Sequence, residues 1–544
     1  MNLLEITDLS IKLPPSSDRN YAIEGINLSV RKGEIVCIVG ESGSGKSILI
    51  SSILRDIPKG LELVSGNIEF EQNNILELSS KALNRIRGNS ISMIFQEPLV
   101  ALNPSIKVGK QISEVLRLHF QDMNEELIQN KVKTLLEKVN IDDPKRIMNS
   151  YPYQLSGGQC QRAVITMAIC CDPEILLADE PTTALDVTTQ REILNLIKSL
   201  KTSGNAILFV THDFGVVADI ADKVVVLYQG RLVEFGPAST VLNTPSHPYT
   251  KFLIDAMPSL NQFREPSHDS SPTYSMKVNG ISKNYFSKNN KIIALSETNL
   301  HLKIGETLGI VGESGSGKST LARALIRLTK ADSGIVDIGD QDFLKLRGSA
   351  LISAQRKIQM IFQDPFGSLN PNQSVGKVLM RCLEIQGING KNAKKRAFQM
   401  LQKVGLDASS FDRTPIKFSG GQRQRIAIAR ALILSPRILI ADEAVSALDL
   451  SIQKQIIELL KALQEDSGFS MIFITHDLRV AAQISHVLAV MHQGEVVEIG
   501  NARFILSNPQ HPYTKKLISA APGRNWQPPR ISHSERQKFK EFLL

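Results

Sequence analysis

Residues Glu34–Ser47 read EIVCIVGESGSGKS, and Thr307–Ser319 read TLGIVGESGSGKS. In each, a short apolar run enters a glycine-rich turn closed by Lys-Ser. A helix-forming stretch follows, SILISSIL from Ser47 and STLARALIRL from Ser319. A strand, a glycine-rich turn and a helix in that order form a loop whose successive backbone N–H groups can wrap phosphates at a helix N-terminus. The candidate ATP-binding residues are therefore Gly40, Glu41, Ser42, Gly43, Ser44, Gly45, Lys46 and Ser47, and again Gly312, Glu313, Ser314, Gly315, Ser316, Gly317, Lys318, Ser319 and Thr320. The lysines are expected to reach the outer phosphates, and Ser47 and Ser319 to offer a hydroxyl to Mg²⁺. EILLADE, AILFVTHD and KVVVLYQG are further continuous apolar runs, as strands buried on both faces of a mostly parallel sheet require. The fold class is α/β.

Outward from these loops the chain repeats itself over nearly its whole length, in constant order. MIFQEPLVALNP (Met93–Pro104) returns as MIFQDPFGSLNP (Met360–Pro371), LSGGQCQR (Leu155–Arg162) as FSGGQRQR (Phe418–Arg425), and LLADEPTTALD (Leu176–Asp186) as LIADEAVSALD (Leu439–Asp449). FVTHD (Phe209–Asp213) returns as FITHD at Phe473–Asp477, and HPYT (His247–Thr250) recurs at His511–Thr514. One large domain is duplicated, which sets this chain apart from a solenoid of short repeats. The expected organisation is a first domain over 1–258, a polar, proline-broken linker over 259–275, a second domain over 276–522 and a polar tail over 523–544.

The acidic pairs end apolar strands. Asp179 and Asp442 are placed to hold Mg²⁺, and Glu180 and Glu443 to polarise an attacking water, which is the division of labour that phosphoryl transfer to water needs. His212 and His476 follow another apolar strand and are expected at the carboxyl edge of the sheet, near a γ-phosphate. The SGGQ segments, Ser156, Gly157, Gly158 and Gln159 with Ser419, Gly420, Gly421 and Gln422, open helices and so make a second anion-binding N-terminus in each half. A single phosphate site has no use for it, so it must serve another nucleotide.

With these motifs in place the chain resembles the ATP-binding cassette family, twice and over almost all of its length. The resemblance implies two tandem P-loop NTPase domains, each with a mostly parallel sheet core, an antiparallel β subdomain and a helical signature subdomain. It further implies ATP and Mg²⁺ as cofactors and an intramolecular head-to-tail pairing of the cassettes. One site would combine Gly40–Ser47, Gln96, Asp179, Glu180 and His212 with Ser419–Gln422; the other would combine Gly312–Ser319, Gln363, Asp442, Glu443 and His476 with Ser156–Gln159. Gln96 and Gln363 are carried over as further metal contacts, and Asp186 and Asp449 as residues that communicate across the pair. Both sets are complete, so two hydrolytic sites are expected. Departures are Ala444-Val445 against Pro181-Thr182, and Phe418 against Leu155. Tyr285, Phe286 and Tyr21 are candidates for the aromatic that stacks on the base.

Within that family, FQEP…LNP, FQDP…LNP and HPYT resemble the dipeptide, oligopeptide and nickel importer ATPases, here as a fused double cassette similar to importers of glutathione or microcin-type peptides. The implied partners are two transmembrane permease subunits and an extracytoplasmic solute-binding protein, with peripheral attachment at the cytoplasmic face of the inner membrane and no nucleic acid. A nickel-chelate or glutathione substrate is the alternative. From its residues alone, HPYT is a His-Pro before an apolar helix, its histidine a packing residue.

Composition agrees. Of 544 residues, 42% are apolar and 22% charged, enough for sizeable cores. No apolar run approaches the roughly 20 residues of a membrane-spanning helix, and MNLLEITDLSIKL alternates as a strand does. The net charge of +9 is spread without a basic block. Cys37, Cys160, Cys170, Cys171 and Cys382 form no CxxC pair, which speaks against a disulfide framework, a zinc site and the iron–sulfur cluster that some importer ATPases carry after HPYT. A double-cassette translation factor would need a long charged helical linker, a DNA-repair cassette zinc-ligand cysteines, and an exporter its own membrane helices.

Overall fold

The computed structural model describes all residues except Met1, 183–184, 265–272, 288–289, 366, 447, 530, 533–534 and 536–544. The chain divides into two compact units, Met1–Met257 together with Pro522–Leu544, and Pro258–Ala521. The stretch expected as a linker from 259 thus begins as part of the second unit. Its last two residues already belong to the strand Tyr274–Ser287, because alternation through Tyr274, Met276 and Val278 extends the pleat backwards. Residues 265–272 of that stretch lie outside the described residues. The segment from Pro522 is likewise part of the first unit: Gly523 N donates to Asp219 at 3.3 Å, and Trp526 Nε1 to Asn243 at 3.1 Å.

Each unit is built on a six-stranded sheet. In the first the order is Arg231–Pro237, Lys223–Tyr228, Ile35–Val39, Ala206–Val210, Ile175–Asp179, Ile91–Ile94; all neighbours run parallel except the first pair. The second repeats that order with Glu495–Asn501, Val487–His492, Thr307–Val311, Ser470–Ile474, Ile438–Asp442 and Ile358–Ile361. Every residue of Ile35–Val39, Ala206–Val210 and Ile175–Asp179 is buried, as the unbroken apolar runs demand of strands covered on both faces. An antiparallel sheet packs against each core: Tyr21–Arg31, Asn2–Lys12, Glu62–Phe70 and Asn73–Asn74 in the first unit, and Asn290–Lys303, Tyr274–Ser287 and Ser333–Asp337 in the second.

A helical region completes each unit, ending in the helices Gly157–Ile169 and Gly420–Leu432 that the SGGQ segments open. Its core in the second unit gathers Val375, Leu379, Leu383, Leu401, Phe411 and Ile426. Phe418 is buried among them beneath the Arg413 guanidinium, 4.4 Å from its ring centroid, so the phenylalanine that replaces a leucine is a packing change. Cys37, Cys160, Cys170 and Cys171 are buried and Cys382 half-buried, as small core residues. Among the described residues no helix is long and apolar enough to cross a membrane.

Candidate functional site

The glycine-rich loops leave their strands at the carboxyl edge of the sheet. Gly43 and Gly45 adopt φ of 77° and 103°, and Gly315 and Gly317 of 80° and 102°, the left-handed region that glycine enters without penalty. A Cβ on Gly43 or Gly315 would meet nothing within 4 Å, so both positions face open space. Lys46 and Lys318 open the helices that follow, Lys46–Ile53 and Lys318–Leu325. Both ammonium groups fold back into the loop: Lys46 Nζ donates to the carbonyls of Gly40 (2.8 Å) and Glu41 (2.9 Å), and Lys318 Nζ to those of Gly312 (2.8 Å) and Glu313 (2.7 Å).

The structure brings Asp179, Glu180, Gln96 and His212 to this edge, with Asp442, Glu443, Gln363 and His476 as their counterparts. Gln96 Nε2 donates to Glu180 Oε2 at 3.3 Å and Gln363 Nε2 to Glu443 Oε2 at 2.9 Å. His212 Nδ1 lies 3.4 Å from Glu180 Oε2, and His476 Nδ1 lies 3.7 Å from Glu443 Oε2. Ser319 Oγ donates to Asp442 Oδ1 at 3.2 Å, and Ser47 bonds Asp179. Asp179 and Asp442 are 6% and 2% exposed, and Asp179 Oδ1 is a buried acceptor with no hydrogen-bond partner. An orphaned carboxylate oxygen beside a serine hydroxyl is a donor set that suits a hard divalent cation. Burial is the main influence on both aspartates and raises their pKa. Burial also works against a charged His212, but the bond to Glu180 and its charge outweigh it, and the imidazole titrates above its ordinary value. Burial opposes ionisation of Glu443 too, and the His476 bond reverses the balance, so its pKa is lowered.

One feature escapes any sequence pattern. Glu180 and Glu443 both have positive φ, 44° and 47°, a conformation a non-glycine residue adopts only under constraint. The neighbouring strand supplies that constraint: Glu180 N donates to Val210 O at 3.1 Å and Glu443 N to Ile474 O at 3.0 Å. The left-handed turn swings each glutamate out of line with the aspartate before it, so that two adjacent carboxylates take different partners.

Ser156 and Ser419 are the N-caps of their helices, and Gln159 and Gln422 close capping boxes back onto them. Gly157 has open space where a side chain would stand, whereas a Cβ on Gly158 would press on Thr189, and one on Gly421 would come within 2.5 Å of Ile452 Cγ2. The second glycine is therefore the more crowded of each pair, and at Gly421 a side chain would force Ile452 to shift. Asp186 caps Val187–Thr202 by accepting from Thr189 N at 2.9 Å, and Asp449 stands at the start of Leu450–Ser467. Ala444 and Val445 are buried, as are Pro181 and Thr182, so the departure after Glu443 is a change of packing. Of the candidate stacking aromatics, Tyr285 is 43% and Phe286 79% exposed, and Tyr21 is half-buried.

The ABC transporter profile matches residues 23–183 and 295–446, and the profile for the oligopeptide/dipeptide transporter C-terminal region matches 233–280 and 497–538. The chain is similar to the glutathione import ATP-binding protein GsiA of Escherichia coli (strain K12), 41% identical over 100% of this chain and 92% of that protein. It is also similar to the GsiA of Salmonella choleraesuis (strain SC-B67), at 42% over 96% and 90%. Among solved structures, a dimeric bacterial ABC transporter cassette, MJ0796, is 33% identical over 42% of this chain and 98% of that one, with a TM-score of 0.39. The chain belongs to the ABC transporter family, as a double-cassette ATPase in which each cassette carries the oligopeptide/dipeptide-transporter C-terminal region.

Proposed function

We propose that the chain is the motor subunit of a peptide importer, hydrolysing ATP at two sites to drive uptake of peptides or glutathione-like solutes through separate membrane subunits. Support for the substrate class comes from the oligopeptide/dipeptide C-terminal region, present after both cassettes, and from full-length likeness to proteins named for glutathione import. Two transmembrane permeases and an extracytoplasmic binding protein are the partners that such a motor requires, with the chain attached peripherally at the cytoplasmic face.

The carrying observation is that each unit gathers a complete set of Lys, Ser, Gln, Asp, Glu and His at one sheet edge. Loop amides and Lys46 or Lys318 bind the phosphates. Mg²⁺, held by Ser47, Gln96 and Asp179 or by Ser319, Gln363 and Asp442, would neutralise charge on the outer phosphates. Glu180 and Glu443 accept the proton of the water that attacks the γ-phosphorus; ATP and water become ADP and phosphate. His212 and His476, whose Nδ1 atoms face those carboxylates, orient them and stabilise the γ-phosphate oxygens. The SGGQ helix of each cassette serves the nucleotide of the other, so that closure on ATP completes both sites and reopening follows hydrolysis.

The test is ATP turnover by the purified chain, alone and with candidate permeases in liposomes. We expect turnover to rise with permeases plus a peptide-loaded binding protein and to vanish in the Glu180→Gln, Glu443→Gln double variant. Turnover indifferent to permeases and stimulated by ribosomes would overturn the importer assignment.

A further inference from the structure

HPYT lies far in sequence from either glycine-rich loop, yet in both units its tyrosine ends on that loop. The Tyr249 hydroxyl accepts from the Glu41 backbone N–H at 3.1 Å and donates to the Glu41 carboxylate at 3.4 Å; the Tyr513 hydroxyl accepts from Glu313 N–H at 3.0 Å. The rest of the motif holds the tyrosine in place. His247 Nδ1 accepts from Tyr249 N at 3.2 Å and so caps Pro248–Ala256, while Glu234 accepts from the N–H groups of Ser246 (2.7 Å) and His247 (3.1 Å). In the second unit, His511 caps Pro512–Ala520 at the same distance of 3.2 Å, and Glu498 accepts from Gln510 (2.8 Å) and His511 (3.1 Å).

Each tyrosine is buried, 1% and 8% exposed, and packed on a ring: Tyr249 lies tilted by 43° against Tyr228 with centroids 4.3 Å apart, and Tyr513 stacks on His492 at 3.9 Å. Those ring partners end strands whose next turn also touches the loop, Gly230 N donating to Ser44 O and Gly494 N to Ser316 O, each at 3.0 Å. The peptide plane that follows Glu41 is gripped in turn, since Lys46 Nζ takes its carbonyl at 2.9 Å, as Lys318 takes that of Glu313 at 2.7 Å. An amide half-buried and left without its acceptor is costly, so the hydroxyl fixes where the loop begins and, through one residue, where the lysine rests.

We propose that Tyr249 and Tyr513 are positioning residues for the phosphate loops, by which each cassette's C-terminal extension sets the affinity of its own cassette for ATP. The proposal rests on ATP occupying Gly40–Ser47 and Gly312–Ser319, and it gives the tyrosine of HPYT a task distinct from the helix cap that its histidine makes.

The experiment uses the full chain with Tyr249→Phe, Tyr513→Phe and both, titrated with a fluorescent ATP analogue and assayed for turnover. Phenylalanine keeps the ring packing and removes the hydroxyl, with the bond it accepts from the loop amide and, at Tyr249, the bond it donates to the Glu41 carboxylate. We expect the dissociation constant at each altered site, and KM, to rise about fivefold, with kcat within about twofold and the melting temperature nearly unchanged. Unchanged affinity, or a fall in kcat at constant KM, would overturn the proposal. So would a loss that only tracks melting temperature across the three variants. A wild-type chain that binds no analogue overturns the nucleotide assignment as well, whereas variants that match a binding wild type overturn only the role of the tyrosines.

Discussion

The two units carry the same chemistry but are braced differently behind it. In the first, Asp222 Oδ2 accepts from the N–H of Ile35, the first residue of the phosphate-loop strand, at 2.8 Å and pairs with Lys201. In the second, a histidine stands at the corresponding place: His486 Nδ1 accepts from Thr307 N–H at 2.9 Å. In the first unit the helix after His212 begins with Phe214-Gly215, and its Asp219 is shared by Arg191 at 2.9 Å and by Gly523 N. In the second, Arg479 takes the place of Gly215 and folds onto Asp477 at 2.8 Å, while Gln483, in place of Asp219, donates to Gln262 at 2.7 Å. Residues of the glycine-rich loops and of the acidic edge recur in both units; residues that brace them from behind admit several solutions and drift.

The comparison breaks most sharply at the glutamates. If the two sites are equal, Glu180→Gln and Glu443→Gln should each lower turnover to the same extent, and together by roughly a thousandfold in steady-state assays. Unequal single variants would mean that the differing braces reach the chemistry. Next is Arg264→Ala. That guanidinium is half-buried and donates to Thr307 Oγ1 (3.1 Å), Gln464 Oε1 (2.8 Å) and Ile484 O (3.2 Å), tying Arg264 into the second unit. Its loss should cost about 2–3 kcal/mol, with faster hydrogen exchange confined to the second unit. Gly523→Val should act on the first unit instead. Gly523 has φ of 68°, and a Cβ there would stand 2.5 Å from Gly215 Cα, so the variant should cost about 1–2 kcal/mol.

The smallest effect is the most specific. Burial, with Arg264 and Lys461 adding to it, pushes His486 down to about 4, below the ordinary 6.5. Between those values the unfolded chain binds the proton and the folded unit does not, so the stability His486 contributes is present above 6.5 and drains away as pH falls through that window. His486→Asn keeps an acceptor for Thr307 N–H and should flatten that part of the pH–melting profile of the second unit. The first unit has no histidine at this place, and its profile should not change.

Much of this was legible in the sequence. Unbroken apolar runs marked the parallel strands, since burial on both faces leaves no room for alternation; the glycine spacing marked the phosphate loops, since only those residues accept the φ values required. The lysines open helices after the glycine-rich turns, and the aspartate–glutamate pairs and histidines follow apolar strands, as their local sequence predicts; Gln96 and Gln363 came only with the resemblance. HPYT was visible as a motif and opaque as a function, because its tyrosine meets Glu41 across 208 positions of chain and no local period encodes such a meeting.

By itself, then, the sequence determined what the backbone must do locally: which runs form strands, where the glycine-rich turns fall and which segments open helices. Tertiary structure alone decided what distant segments do for one another. Glu180 and Glu443 turn left-handed at the point where an adjacent strand accepts from their amides. The assignment of Pro258–Arg264 to one unit and of the segment from Pro522 to the other depends on which buried acceptors and small surfaces those segments find. Hydrogen-bond satisfaction is a property of the assembled interior, and composition along the chain carries no record of which far-off partner will provide it.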